Sequence, residues 1–334
     1  MNTKRTNSAV RLVKANAGIL MVLLILTVVL SFLTPNFLKG SNIISVMRQI
    51  SNNVYLALGM TLIIILGGID LSVGAIVALT GTLTVGFIVN FHMPMVLAIV
   101  IGIGLGVLIG FLNGCIVARF NVPAFIVTLA TMNISRGIAY VFSGGRSTRI
   151  TSEAFENIGT ATLFGFLPIP VLYMIILIAV FVFLLSKTKF GTYVYAVGGN
   201  MEAARLSGLP IKKVIIAVFT ISGTLAAFAG LVLASRMYSG QPSAGDGYEM
   251  DAIAACVLGG VSMSGGVGTI GGTIIGAIVI GIISNGLNLM GVSSFWQLIV
   301  KGIIILVAVI IDSQKKAINQ KIGEMKKKNK ANNG

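Results

Sequence analysis

Apolar residues recur in ten long windows, at about 17–34, 50–67, 72–91, 95–118, 124–142, 169–186, 214–235, 251–268, 272–290 and 295–312. No other feature limits the fold as strongly. Each window approaches the roughly 20 residues that an α-helix needs to cross the hydrocarbon core of a bilayer. Lipid offers the backbone no hydrogen bonds, so a spanning chain must be helical or a closed barrel. Unbroken runs such as Ala17–Phe32 select helices over the alternating strands of a barrel. Composition agrees, since 56% of the 334 residues are hydrophobic and only 10% charged. Mean hydropathy is +0.98, more than a soluble core of this length hides. The expected fold class is an all-α polytopic membrane protein of about ten transmembrane helices.

The formal net charge of +15 raises nucleic acid as a partner, and the placement of the basic residues decides against it. Lys4, Arg5, Arg11 and Lys14 precede the first window, five Lys or Arg fall within Lys187–Lys213, and seven lysines run from Lys315 to Lys330. With Arg119 in a short connector, these segments hold 17 of the 24 Lys and Arg. Ten alternating helices put them all on one side, so positive-inside bias explains the charge and places both termini in the cytoplasm. The acidic Asp246, Glu249 and Asp251 then fall outside. The chain divides into a basic tail over 1–16, a transmembrane unit over 17–312 with an inside loop at 187–213, and a lysine-rich tail over 313–334. That last tail reads as a solvated anchor or an anionic-lipid patch. No small-residue cleavage site follows the first window, so it is read as a retained helix rather than a signal peptide. The window 50–67 ends at Gly67-Gly68, and 251–268 is broken by Gly259-Gly260 with Ser262 and Ser264, which makes each a candidate half-crossing or re-entrant helix.

Glycine recurs every fourth residue at Gly102, Gly106 and Gly110, and again at Gly268, Gly272 and Gly276, with Gly281 displaced by one. Such series let helix backbones approach closely where lipid removes the hydrophobic drive. The chain also echoes itself. Gly67-Gly-Ile-Asp-Leu-Ser-Val-Gly74 resembles Gly259-Gly-Val-Ser-Met-Ser-Gly-Gly266, Asn113-Gly114 recurs as Asn285-Gly286, and Val122-Pro-Ala-Phe125 as Val292-Ser-Ser-Phe295. Copies five helices apart cross in opposite senses, which predicts a five-plus-five inverted repeat with a solute path near the repeat interface.

Catalytic machinery is missing from the sequence. There is no Gly-x-Ser-x-Gly elbow, a single histidine, His92, and no phosphate-binding loop ending in Gly-Lys-Ser/Thr. Cys115 and Cys256 stand singly, so no disulfide, metal or cofactor is expected. What remains is a set of polar residues in apolar windows: Asp70, Asn113, Thr128, Thr131, Asn133, Arg136 and Asn285. They suit the path of a neutral polyhydroxyl solute, and equally suit hydrogen bonds between helices. Asp70 also suits the cap of a helix starting near Leu71. The inside loop adds Glu202–Leu206, strongly helix-forming, with Asn200 as cap, Gly208 as stop and Pro210 barring extension. A short rigid helix on the cytoplasmic face is a docking element.

The segment Gly199-Asn-Met-Glu-Ala-Ala-Arg-Leu-Ser-Gly208 resembles the coupling-helix motif of ABC importer permeases. Together with Gly67–Gly74, Val122-Pro-Ala-Phe-Ile-Val-Thr-Leu129, Ser135-Arg-Gly137 and Leu258-Gly-Gly-Val-Ser262, it is similar to ribose-type monosaccharide permeases over about residues 15–312. The resemblance implies a ten-helix subunit of the bacterial cell membrane, acting as a homodimer with two ATPase subunits inside and a sugar-binding protein outside. It implies that Gly199, Asn200, Glu202, Ala203, Ala204, Arg205 and Gly208 sit in a cleft of the ATPase. The outer loops 143–168 and 236–250 offer Arg146, Arg149, Asp246 and Glu249 for docking the binding protein, or as ordinary solvated charges. The alternative is an ion-coupled secondary transporter with Asp70 as its proton or sodium site.

Overall fold

The computed structural model describes residues 17–307, 309, 310 and 314. The two basic tails expected at 1–16 and 313–334 lie outside the described residues apart from Gln314. The chain begins with α1 (Ala17–Leu33), α2 (Gly40–Ile65), α3 (Val73–Val89), α4 (Met95–Phe120) and α5 (Ala124–Ser143). A connection follows with β1 (Thr148–Arg149), α6 (Glu153–Thr160), β2 (Thr162–Leu163) and β3 (Leu167–Pro168). Then come α7 (Ile169–Lys187), the loop helices α8 (Lys189–Gly199) and α9 (Met201–Leu206), and α10 (Ile211–Arg236). After β4 (Ser239–Gly240) the chain ends in α11 (Tyr248–Leu258), α12 (Ile270–Leu289) and α13 (Ser294–Val307). Each of the ten apolar windows contains one helix, and α4, α5, α7, α10 and α12 are both long and apolar enough to cross a membrane.

Helix α2 is the axis of the molecule. Every residue from Ile50 to Ile65 is buried, as expected of a helix that is apolar on all sides and surrounded by others. It packs on α7, α10, α11 and α12. At its end Gly67 takes φ +89, the Gly67 N–H reaches the Ile64 carbonyl and the Gly68 N–H reaches that of Ile63. This is the paired bonding of a Schellman stop, and only glycine enters that left-handed position without strain.

The glycine series acts as expected. Helices α4 and α10 share the most extensive helix–helix interface. A Cβ at Gly106 would lie 2.5 Å from the Gly223 carbonyl oxygen, and one at Gly114 would lie 2.7 Å from the Ile216 Cα. Across the molecule, a Cβ at Gly272 or Gly276 would collide with the carbonyl oxygens of Gly259 or Ala255, so α12 lies backbone to backbone on α11.

The suspected interruption at 251–268 is real. Helix α11 has 11 residues, about 16 Å at 1.5 Å per residue, half of the roughly 30 Å hydrocarbon core. The window 50–67 stops at Gly67-Gly68 as expected, but α2 runs 26 residues without a break and is no half-crossing. Contacts give the directions. Gly59 meets Ser222 and Tyr55 stacks edge-on with Phe228, so α2 and α10 are antiparallel. Thr61 meets Thr273 and Ile50 meets Gly281, so α12 is antiparallel to α2; Gly259 meets Gly272 and Ala255 meets Gly276, so it is antiparallel to α11 too, which makes α11 parallel to α2, while the approach of Val77 to Gly230 and of Gly81 to Ala234 sets α3 parallel to α10. Helices α3 and α11 therefore run in opposite senses and begin side by side. Each is third in its set of five membrane helices, as an inverted repeat requires.

One element of the internal echo does not belong to that repeat. The segments 67–74 and 259–266 follow α2 and α11, which are parallel, and the Gly266 N–H donates to the Ile65 carbonyl at 2.7 Å. They share one side of the protein, so they are not inverted copies. The counterpart of the segment before α3 is the segment 241–247 before α11, which likewise turns back into the protein.

Candidate functional site

Two regions carry the chemistry: a short helix in the loop between α7 and α10, and a buried polar network where α3 and α11 begin. In the loop, α9 has six residues. The Asn200 carboxamide oxygen accepts the Ala203 N–H at 2.9 Å, a side-chain N-cap. At the other end Gly208 has φ +76, and the Gly208 and Leu209 N–H groups reach the carbonyls of Arg205 and Ala204. Both ends are therefore fixed by the residues that the sequence singles out. Ala204 anchors the helix inward, whereas Leu206 is 84% exposed and Met201 is also bare. Arg205 pairs with Glu202 at 2.8 Å along the helix surface, a solvated pair of little energetic weight. What this face presents is shape and two apolar side chains. Helix α8 escaped the sequence reading, although Thr188 capping Gly191 and the buried Val194 and Val197 mark it as amphipathic.

The second region is built around the segment 67–72. Asp70 is 1% exposed. Its Oδ1 accepts the Ser72 N–H at 3.0 Å and the Ser72 hydroxyl at 2.5 Å, and its Oδ2 accepts the Ser222 hydroxyl at 3.0 Å. The Asn113 amide donates to the Ser72 Oγ at 3.2 Å, and the Thr131 hydroxyl donates to the Asn113 Oδ1 at 2.6 Å. The Thr128 hydroxyl closes the group on the Ile69 carbonyl at 3.2 Å. Four predicted polar residues thus converge, with Ser72 and Ser222 as partners that the sequence did not reveal. Together they hold an irregular stretch of backbone inside the protein, where its polar groups would otherwise lack partners. The carboxylate acts one residue ahead of the helix start it was expected to cap, because α3 begins at Val73.

Arg136, on α5, holds the opposite return. Its guanidinium donates to the carbonyls of Pro242 at 2.9 Å and Ala244 at 2.6 Å. Beyond that segment, Glu249 and Asp251 open α11. Glu249 corrects the expectation of an exposed outer charge. It is 8% exposed and its carboxylate lies against Gly74 at the start of α3, because 241–247 folds back into the protein. Asp251 takes the Lys301 ammonium of α13 at 2.8 Å. That pair joined two lone opposite charges in separate apolar windows, a signal which sequence reading could have used.

The remaining candidates lie elsewhere. Asn133 is exposed and bonds the Leu129 carbonyl of its own helix. Asn285 exchanges hydrogen bonds with Asn42, at 3.1 and 2.9 Å, joining α12 to α2. Replacing Asn285 by alanine should cost about 1 kcal/mol, the scale of a polar pair between membrane helices, read as a lower unfolding midpoint in detergent. Arg146, Arg149 and Asp246 are exposed, the two arginines at a two-stranded ladder that pairs Thr148 with Gly240 and Arg149 with Ser239. This ladder ties the connection after α5 to the one after α10.

These features define a multi-pass helical membrane protein in which α3 and α11 start side by side and run in opposite senses, with a short capped helix in the loop between α7 and α10. Residues 42–309 match the family described as branched-chain amino acid transport system, permease component, and the chain belongs to it. The ribose import permease protein of Bacillus subtilis is 47% identical over 88% of this chain and 92% of its own length. The L-arabinose transport system permease protein of Escherichia coli is 41% identical over 89% and 90%. The L-arabinose ABC transporter permease protein of Azospirillum brasilense is 40% identical over 90% and 88%. No solved structure matches the chain at the same level of significance. A permease component is a transport subunit, not itself catalytic.

Proposed function

We propose that this chain is the membrane-spanning subunit of an ATP-binding-cassette importer for a monosaccharide, ribose first among them. It works as a homodimer in the bacterial cell membrane, with both termini and α9 in the cytoplasm, two ATPase subunits docked there, and an extracytoplasmic sugar-binding protein on the outer loops. The observation that carries this reading is α9: six residues, capped by Asn200, stopped at Gly208, and showing Met201 and Leu206 to solvent. Isolated helices this short do not persist in water, so the fixed ends point to a surface maintained for a partner. The relatives named for ribose and arabinose transport support the substrate class. Exposed Arg146, Arg149 and Asp246 give the outer face both signs of charge, suited to steering a soluble partner. Asn113, Thr128 and Thr131 border the translocation path as part of its rigid wall.

Reconstitution tests the proposal. Labelled ribose should enter proteoliposomes only with ATP, the ATPase and the binding protein together. Uptake driven by an ion gradient without them would establish the Asp70-coupled alternative, which the relatives do not favour. Within the working importer, Gly208→Leu places a side chain in open space but strains the left-handed stop by about 1–2 kcal/mol. Uptake should fall at least tenfold while the subunit remains folded, and normal uptake would count against α9 as the coupling element.

A further inference from the structure

We propose that three glycine turns form one backbone junction that carries motion from α9 to α3 and α11, with Gly198 as its positioning residue; this rests on α9 being the coupling element. Gly198 lies in the last turn of α8, two residues before the Asn200 cap of α9. A Cβ there would overlap the Ile65 carbonyl oxygen and stand 2.9 Å from the Gly266 nitrogen. Ile65 is the last residue of α2, and its carbonyl accepts the Gly266 N–H at 2.7 Å. A Cβ at Gly265 would meet the Gly198 carbonyl oxygen at 2.6 Å and the Gly67 Cα at 3.2 Å, and one at Gly266 would meet the Gly199 Cα at 2.6 Å. One turn earlier in α8, the Tyr195 hydroxyl donates to the Gly268 carbonyl at 2.8 Å. Gly67, Gly198 and Gly265-Gly266, from three separate stretches of chain, therefore touch main chain to main chain.

The absence of intervening side chains gives the contact its use. A side chain between two moving parts absorbs displacement by changing rotamer, whereas apposed backbones in van der Waals contact cannot yield without one part moving the other. From the junction the chain runs one way through Gly67–Ser72, where Asp70 and Ser72 are locked to α10 and α4, into α3. The other way it runs through 259–269, from α11 and into α12. A turn of α9 is passed by its covalent neighbour α8 to α3 and α11 at once. Contiguous contacts between rigid elements are one means by which coupling passes between distant sites.

The test uses the complete importer in proteoliposomes. Gly198→Ala is compared with Gly104→Ala, which adds the same methyl to a glycine of α4 that faces open space. Gly104→Ala should transport like the unaltered protein. Gly198→Ala should retain the ATPase on purification and continue to hydrolyse ATP, but uptake should fall at least tenfold, so that ATP consumed per sugar rises in proportion. Uptake by Gly198→Ala within twofold of Gly104→Ala would overturn the proposal. If Gly198→Ala does not yield a folded subunit, Tyr195→Phe decides: it removes one hydroxyl, and uptake per ATP should drop about threefold, an unchanged ratio overturning the junction. Failure of the underlying reading looks different, since the unaltered protein would then neither retain the ATPase nor require it for uptake.

Discussion

Lys301→Met should be among the most damaging single substitutions in the membrane region, lowering stability by about 3–5 kcal/mol, because it strands the Asp251 carboxylate. Asp251 is 5% exposed and its ammonium partner lies 2.8 Å away with 19% exposure. The other carboxylate oxygen, Oδ1, is buried without a hydrogen-bond partner, so nothing else compensates the charge once the lysine is gone. The reciprocal change, Asp251→Leu, should cost less. Lys301 sits on α13, whose Leu298 and Ile303 are largely bare, and a released lysine can reach along its stem towards the interface. The double variant Asp251→Leu with Lys301→Met should regain most of the loss, since an apolar pair avoids the desolvation penalty. Unfolding midpoints of the four proteins in detergent give the coupling energy directly. Equal midpoints for Lys301→Met and the unaltered protein would mean that the pair contributes nothing to seating α11.

The difference between what was legible in the sequence and what was not has a physical basis. Membrane helices are visible because lipid permits only one solution for a long apolar run, and all ten windows contain a helix. The caps of α9 are visible because Asn200 and Gly208 act within three or four residues of their targets. The polar network was half visible. Asp70, Asn113, Thr128 and Thr131 stand out against apolar neighbours, but Ser72 and Ser222 do not, since serine is ordinary in membrane segments and the partners that join these two to the network, Asn113 and Asp70, lie 41 and 152 residues away. The inward fold of 241–247 was hidden for the opposite reason. Its Pro, Gly and Asp read as a solvated connector, and only the donation from Arg136 to the carbonyls of Pro242 and Ala244 makes it an internal one. The ladders at Thr148–Arg149 and Thr162–Leu163 are two residues long, too short for alternation to register.

Asp70 separates a clamp from an ion site, and Asp70→Ala with Asp70→Asn should show which it is. Alanine leaves the Ser72 N–H, the Ser72 hydroxyl and the Ser222 hydroxyl without their acceptor. Hydrogen bonds to a charged group contribute about 1.5–3 kcal/mol each, and a buried donor left unmet costs its desolvation besides. The loss should reach about 3 kcal/mol or more, with the segment 67–72 released from α10 and uptake abolished. Asparagine is nearly isosteric. Its carbonyl oxygen can retain both Ser72 bonds, and its amide can donate to the Ser222 Oγ, because a hydroxyl rotates to accept as readily as to donate. The clamp therefore predicts that Asp70→Asn keeps a near-normal unfolding midpoint and a substantial share of uptake. A carboxylate that must bind and release a proton or sodium ion predicts the reverse for transport: Asp70→Asn would remain folded and carry no solute. Measuring midpoint and uptake on the same preparations distinguishes these outcomes, because only in the second do stability and transport part company.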